Sequence, residues 1–370
     1  MIAALVAAAL LSAAQSTRVD SIVKVVVREN RIPGISLGIA RGDAILYLRG
    51  YGLRDAARKL PADGFTIYAA GSIAKQFTAA LVLQDVARGR LALDQGNPRV
   101  DSLLWQTSDD TWEYRNENYA ALGSMLERAD GGSYCSLAAA RIFTPLHLIS
   151  TSCGAPYPAW NLAVTEKPAR WIDPAAGGIW SNAPDLLHWL GDLRGGRAIS
   201  PESFAAMTTS GRLRSGVATN YGFGFFIGNW YGYPVAFHDG FLEGYSSEDV
   251  VSLADGVAIA LLSNGDRVDL TPLAKSIFAI VDPPRDKNSV ATPFAAPENE
   301  NRRITAALAT ALEPRTRATY GKLELLEFME RTVEGSTTFD RYRASFERGV
   351  LWVTVTYGSD DAIQSVTLSP

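Results

Sequence analysis

The strongest constraint on the fold is where β character falls along the chain. Residues 35–40 and 44–48 read as two strands joined by a turn at Arg41, Gly42 and Asp43. Arg-Gly-Asp also resembles an adhesion motif, but between two alternating runs a hairpin turn accounts for it. β-type runs return only at residues 221–227, 234–238, 250–253 and 257–262. Between these two groups, residues 76–193 carry mainly helical patterns, with stops at Gly89, Gly131, Gly132, Pro145 and Pro174. An amphipathic helix at 19–28 precedes the first strands, and a helix at 271–281 follows the last. Strands on both sides of so long an interval close into one antiparallel sheet, with the helical block as an excursion between them. The expected fold class is therefore α/β of the α+β type, an antiparallel sheet flanked by helices with an inserted, mostly helical subdomain.

Two ends of the chain read differently. Residues 1–16 combine an apolar run too short to span a bilayer with small residues suited to signal-peptide cleavage. They are expected to be a signal peptide, which implies an exported protein, periplasmic or secreted. Residues 17–282 form the main domain. Residues 283–301 turn rich in Pro, Asn and Glu and read as a linker. Residues 302–370 are expected to form a small α+β module, with a helix at 303–312, strands around Tyr342, Ala344 and Phe346 and at 351–355, and residues 323–332 open between helix and strand.

Apolar residues make up 47% of the 370, enough for a sizeable core, and the net charge of −4 argues against nucleic acid or an anionic membrane surface as partner. Cys135 and Cys153 either pair and close a short loop or stay as small buried hydrophobes. Neither has the spacing of a zinc site, and His147, His188 and His238 are isolated, so no metal or cofactor is expected.

Three stretches carry the parts of an acyl-transfer site. Ser72 and Lys75 stand three residues apart at the head of a helix, where their side chains are neighbours and a desolvated lysine can take the serine proton. The spacing alone says little, since Ser21 and Lys24 share it. Tyr114, Arg115 and Asn116 lead into a helix at 119–126, and His238, Asp239 and Gly240 lie at the end of an expected strand. Either Lys75 or a tyrosinate at Tyr114 is then the base for Ser72, with Tyr114 returning the proton to the leaving group. Asn116 is placed to hold Lys75 and touch a substrate amide, and His238 to donate to Tyr114 or to a substrate carboxylate. Gly240 lets the strand approach the substrate, so that the Phe241 and Ser72 N–H groups face the developing oxyanion.

With these three motifs in this order, the chain resembles the serine beta-lactamase-related hydrolases. That group holds class C beta-lactamases, DD-carboxypeptidases of penicillin-binding type and related esterases. The resemblance covers roughly residues 22–281. It includes Gln76 to Ala80, Gly89 to Asp94, Gly177 to Ser181, Tyr221 to Gly224, Tyr245 to Ser247 and Leu262 to Asn264. It implies a beta-lactamase/transpeptidase-like fold with Ser72 as nucleophile, Lys75 for proton transfer, Tyr114 as general acid/base and His238 to Gly240 as the third motif. The expected substrate is a small molecule or peptide bearing an acyl group. The C-terminal module is similar to the small β-rich extension of some exported members.

The chain departs from the family pattern at two places. Many relatives carry Leu-Leu-Thr-His-Thr-Ser-Gly where this chain has Leu103 to Asp109, with Gln106 at the place of the histidine. The long segment that usually follows is nearly absent, which leaves the cleft either more open than usual or distorted. Phe241 replaces a residue that is usually small and narrows the cleft. The leading expectation is a serine hydrolase acting on an ester, amide or lactam. The alternative is a non-catalytic binding protein that keeps the fold. A Gly-x-Ser-x-Gly pattern at residues 34–38 lacks the strand-then-helix context of a nucleophile elbow, because Ser36 lies inside the first strand.

Overall fold

The computed structural model describes residues 10–108, 111–165, 172–214, 216, 218–283, 319, 321–334, 337–346, 349–357 and 363–369. The expected linker and the helix expected at 303–312 lie outside these. Helix α1 (Ala13–Glu29) precedes strands β1 (Gly34–Arg41) and β2 (Ala44–Asp55), which form the expected hairpin, and β3 (Leu60–Pro61) extends it. Strand β4 (Tyr68–Ala69) leads through a 3-10 turn, Gly71–Ile73, into α2 (Ala74–Ala87). The excursion then holds α3 (Val100–Trp105), the hairpin β5 (Thr107–Ser108) and β6 (Thr111–Trp112), α4 (Asn116–Asp130) and α5 (Tyr134–Ala138). It continues through β7 (Ser152–Cys153), α6 (Pro174–Gly177), β8 (Ile179–Ser181), α7 (Ala183–Arg194) and α8 (Pro201–Met207). The chain returns through β9 (Phe226–Trp230), β10 (Tyr233–Leu242), β11 (Tyr245–Ser252), β12 (Val257–Ser263) and α9 (Thr271–Val281).

The main sheet has the order β3-β2-β1-β12-β11-β10-β9, so the first and last parts of the domain meet at β1 and β12. These pair antiparallel from Ile35 with Ser263 to Arg41 with Val257. Every residue of β12 is buried, as befits a continuous apolar run covered on both faces. Helices α1 and α9 pack together beside the sheet, and α7 lies against β1 and β12. A Cβ at Gly38 would come within 2.7 Å of Leu187 Cδ1, so a small residue is what lets α7 settle there. Helix α2 is buried from Ala74 through Leu83, which explains why it is apolar on nearly every side.

Helix α1 starts earlier than the expected 19–28. Ser12 and Gln15 form a capping box, and Gln15 Nε2 donates to the Ile280 carbonyl at 2.9 Å. Residues 12–16 of the expected leader therefore sit in the first turn of this helix. Further along, Asp20 accepts hydrogen bonds from Tyr47 (2.6 Å), Tyr51 (2.8 Å) and Arg49 (2.5 Å), which ties the helix to β2. Cys135 and Cys153 form a disulfide between α5 and β7. Among the described residues, no helix is long and apolar enough to cross a membrane.

Two expectations about strands need correction. Residues 221–225 form a loop, and the strand starts at Phe226; a Cβ at Gly224 would lie 2.8 Å from the Lys75 carbonyl oxygen, so this loop is pressed against α2. Strand β10 runs on to Leu242, which puts His238 within a strand and not at its end. Near the C-terminus, β13 (Leu323–Glu334), β14 (Thr337–Phe346), β15 (Gly349–Tyr357) and β16 (Ile363–Ser369) form a separate four-stranded antiparallel sheet. Tyr342, Ala344 and Phe346 bury one face of it together with Leu351, Val353, Val355 and Tyr357. Strand β13 also runs alongside β6.

Candidate active site

Ser72 is held at a point where two stretches of backbone nearly touch. The Ala70 N–H donates to the Ile179 carbonyl (2.9 Å), and the Ala70 carbonyl accepts from Ser247 Oγ (2.8 Å). Gly71 has a φ of +54°, a left-handed turn that a side chain would strain. A Cβ there would lie 2.7 Å from the Phe241 nitrogen, and one at Gly240 would lie 2.2 Å from the Ala70 oxygen. The side of β10 that carries the Phe241 N–H therefore faces the turn bearing Ser72. The Phe241 side chain is itself 38% exposed.

Lys75 lies one turn further along and is fully buried. Its Nζ contacts Asn116 Oδ1 at 2.7 Å, the Ala176 carbonyl at 2.8 Å and Ser72 Oγ at 3.2 Å. Burial lowers its pKa to about 7, while the charges of Asp239 and Glu117 limit the fall. The neutral amine has two N–H donors and one lone pair. Two of its three partners are carbonyl oxygens, which only accept. The lone pair is thus left for the Ser72 hydroxyl, and the geometry suits proton transfer from serine to lysine. The turn at Ala176 belongs to α6, whose Asp173 cap accepts from the Ala175 N–H. On the far side of α2, Gln76 donates to buried Asp249 (2.7 Å) and accepts from Trp189 Nε1 (2.9 Å), which braces this helix against β11 and α7.

Tyr114 points its ring at the same ammonium, with Lys75 Nζ 4.7 Å from the ring centroid. The ring lies near-parallel to Phe226 and edge-on to Tyr221. Its hydroxyl is buried and faces the Ser72 side chain. Burial drives the phenol well above its ordinary pKa, offset only in part by the Ser72 side chain. Burial thus works against a tyrosinate at Tyr114, the second of the two bases expected from sequence.

Asn116 is the first residue of α4 and spends its side-chain oxygen on Lys75, as expected. What the sequence did not reveal is the part played by Gln106. It is buried at the left-handed end of α3, and its Oε1 accepts from the Arg115 N–H (3.1 Å) and from Asn118 Nδ2 (2.7 Å). The Gln106 carbonyl also accepts from the Glu113 N–H at 3.0 Å. Gln106 thus braces the short loop from within, beside Tyr114 and Asn116, which both contact Lys75. A polar residue at the place of the missing histidine was the available signal.

His238 is placed differently from expectation. It is fully buried, its Nδ1 lies 2.5 Å from the Asp239 carbonyl and its Nε2 3.1 Å from the Tyr221 hydroxyl. Neither ring nitrogen bonds Tyr114, although the two rings are neighbours. Burial, reinforced by the positive Lys75, lowers its pKa to about 3. Ser36 donates to the Asp63 carbonyl (2.5 Å) and shares a hydrogen bond with the Tyr68 hydroxyl (3.0 Å) in the core, so it is structural. Ser21 merely caps a turn of α1 by donating to the Thr17 carbonyl at 2.8 Å. Among the described residues, no group of His, Cys, Asp and Glu is arranged to hold a metal ion.

A family model described as Beta-lactamase matches residues 19–96 and 102–281. Protein flp of Staphylococcus aureus is 22% identical over 318 residues, covering 67% of this chain and 62% of that protein. The chain thus spans less than two thirds of the length of that relative. The octameric penicillin-binding protein homologue from Pyrococcus abyssi superposes with a TM-score of 0.63 at 20% identity, covering 92% of this chain and 90% of that one. The D-amino acid amidase from Ochrobactrum anthropi gives a TM-score of 0.61 at 20% identity, covering 73% of this chain and 99% of the amidase.

Proposed function

The chain belongs to the Beta-lactamase family, and we propose that within it this protein is a serine hydrolase forming an acyl-enzyme at Ser72 from an ester or amide. The observation that carries this reading is the set of partners around Lys75 Nζ, two acceptor-only carbonyls and the Ser72 hydroxyl. In the proposed reaction Ser72 Oγ attacks the acyl carbonyl as its proton passes to Lys75. The N–H groups of Ser72 and Phe241 hold the oxyanion. Collapse breaks the bond to the leaving group, which takes a proton from the Tyr114 hydroxyl as Lys75 restores one to the tyrosine. Water then releases the acyl group by the reverse path.

The similarity in fold to an amino acid amidase supports amides and esters of small acyl groups among the candidate substrates. The Cys135–Cys153 disulfide supports export to an oxidising compartment. Labelling of the folded protein with a fluorophosphonate, followed by peptide mapping, tests the nucleophile. The label is expected on Ser72 and absent from Ser72→Ala. Turnover of D-amino acid amides, short acyl esters and nitrocefin then sorts the substrate. An unlabelled, inert protein would favour the alternative, a binding protein that keeps the fold.

A further inference from the structure

From sequence His238 is expected to donate to Tyr114 or to a substrate carboxylate, yet its surroundings give it another task. We propose that Tyr221 locks His238 as a neutral imidazole protonated on Nδ1, so that this residue positions Tyr114 and offers no positive charge to a substrate carboxylate. The inference rests on the Ser72 reading only for its kinetic arm.

The tautomer follows from the partners. A backbone carbonyl only accepts, so the Nδ1 facing the Asp239 oxygen at 2.5 Å carries the proton. In a neutral ring Nε2 is then a bare acceptor 3.1 Å from the Tyr221 hydroxyl, which donates to it in competition with the neighbouring Tyr119 hydroxyl. Both side chains are completely buried, so a substrate reaches neither ring nitrogen in this arrangement. Titratable groups surround the imidazole from several elements. Lys75 on α2 repels a proton, as its charge lowers the His238 pKa. Asp239 on the same strand has a carboxylate oxygen 3.7 Å from Nδ1 and favours the proton, as does the hydrogen bond to its carbonyl. Tyr114 and Tyr119 are held as neutral phenols by burial. Asp249 on β11 is pushed up to about 8 and accepts from the His238 backbone N–H. Burial outweighs the acidic neighbours.

The positioning role comes from the rings. Tyr221 stands edge-on to Tyr114 with centroids 6.1 Å apart, and Phe226 stacks on Tyr114 at 6.3 Å. The His238 ring lies 5.9 Å from Tyr114 and 5.0 Å from Phe226. A hydrogen bond that fixes the planes of Tyr221 and His238 therefore fixes two of the walls that aim the Tyr114 hydroxyl. Substrates that need a counter-charge from the third motif are selected against, and neutral acyl groups are favoured.

The chain has 3 histidines, so nitrogen-detected NMR of the intact, histidine-labelled protein reads the tautomer directly. The expected result is one imidazole with a protonated Nδ1, a bare Nε2 and no titration between about pH 5 and 8. In Tyr221→Phe the Nε2 resonance should move, and kcat should fall about tenfold with KM within about twofold. The kinetic arm compares two acyl esters, one ending in a carboxylate and the other in its methylamide. Their kcat/KM values should stay within about threefold, or favour the amide, across that range. A His238 that titrates near pH 6.5, or holds its proton on Nε2, overturns the proposal. So does a tenfold preference for the carboxylate ester that fades as pH rises through about 6.5. If neither ester is turned over, the hydrolase reading fails, and the tautomer is still decided by NMR.

Discussion

On the proposed mechanism, acylation of Ser72 needs Lys75 in its neutral form, and that makes pH the most direct perturbation. With a pKa lowered to about 7, roughly one lysine in eleven is neutral at pH 6 and about ten in eleven at pH 8. The second-order rate of fluorophosphonate labelling should therefore rise about tenfold between those values and level off above pH 8. Replacement of the base by Lys75→Met should lower the rate by roughly 10²–10⁴ and flatten the profile. The same burial also makes stability depend on pH. A drop from 10.5 to about 7 means that the unfolded chain binds the extra proton between those two values, so stability rises with pH through that window. Below it the buried lysine costs on the order of 3–5 kcal/mol relative to an unshifted group. Lys75→Met, inactive, should thus melt higher than the parent below pH 7, with the gap closing as pH approaches 10. Labelling by the wild type that is flat from pH 6 to 9, or full-rate labelling of Lys75→Met, would refute the assignment of Lys75 as base.

Other perturbations probe the supports. Gln106→Ala leaves the Arg115 N–H and Asn118 Nδ2 without their shared acceptor; a loss of about 1–3 kcal/mol in chemical denaturation, with kcat falling more than KM rises, is expected. Gly240→Ala would put a Cβ 2.2 Å from both the Ala70 oxygen and Ser247 Oγ, so the variant should fold yet label at Ser72 at least about tenfold more slowly as the oxyanion donors are pushed apart. Reduction of the disulfide, or Cys135→Ser with Cys153→Ser, opens a loop with a sequence separation of 18 and should cost about 3 kcal/mol of stability. In each case a variant indistinguishable from the parent counts against the contact named.

The elements with clear periodicity were legible in sequence. The β1–β2 hairpin, α9 at Thr271–Val281 and the sheet uniting the two groups of strands all follow from apolar patterns and turn residues. Strand β11 was legible only in its second half, because Ser246, Ser247, Glu248 and Asp249 look like surface residues. They are buried because each side chain has a specific internal partner, the Gly265 and Ala70 carbonyls, Thr271 and Gln76 respectively. Such pairings depend on residues far away in sequence, which local patterns do not carry. The same holds for His238. Its type and place in the order of motifs could be read, but its burial between Tyr221 and Asp239 could not. The cysteine pairing also stayed open in sequence, since the approach of α5 to β7 is a product of the folded excursion.

The short loop before Tyr114 is where sequence and structure bear on each other most closely. A long segment in that place would both position the tyrosine and wall the cleft. Here the two tasks are divided. Position comes from Gln106, whose side chain holds the start of α4 and whose carbonyl holds Glu113. Aromatic packing does the rest, with Trp112 against Tyr221 and Phe226, the two rings that also flank Tyr114. The outer side of the hairpin is met by β13 of the C-terminal sheet, which runs alongside β6. Tyr114 is thus kept in place by contacts that the length of its own loop does not provide.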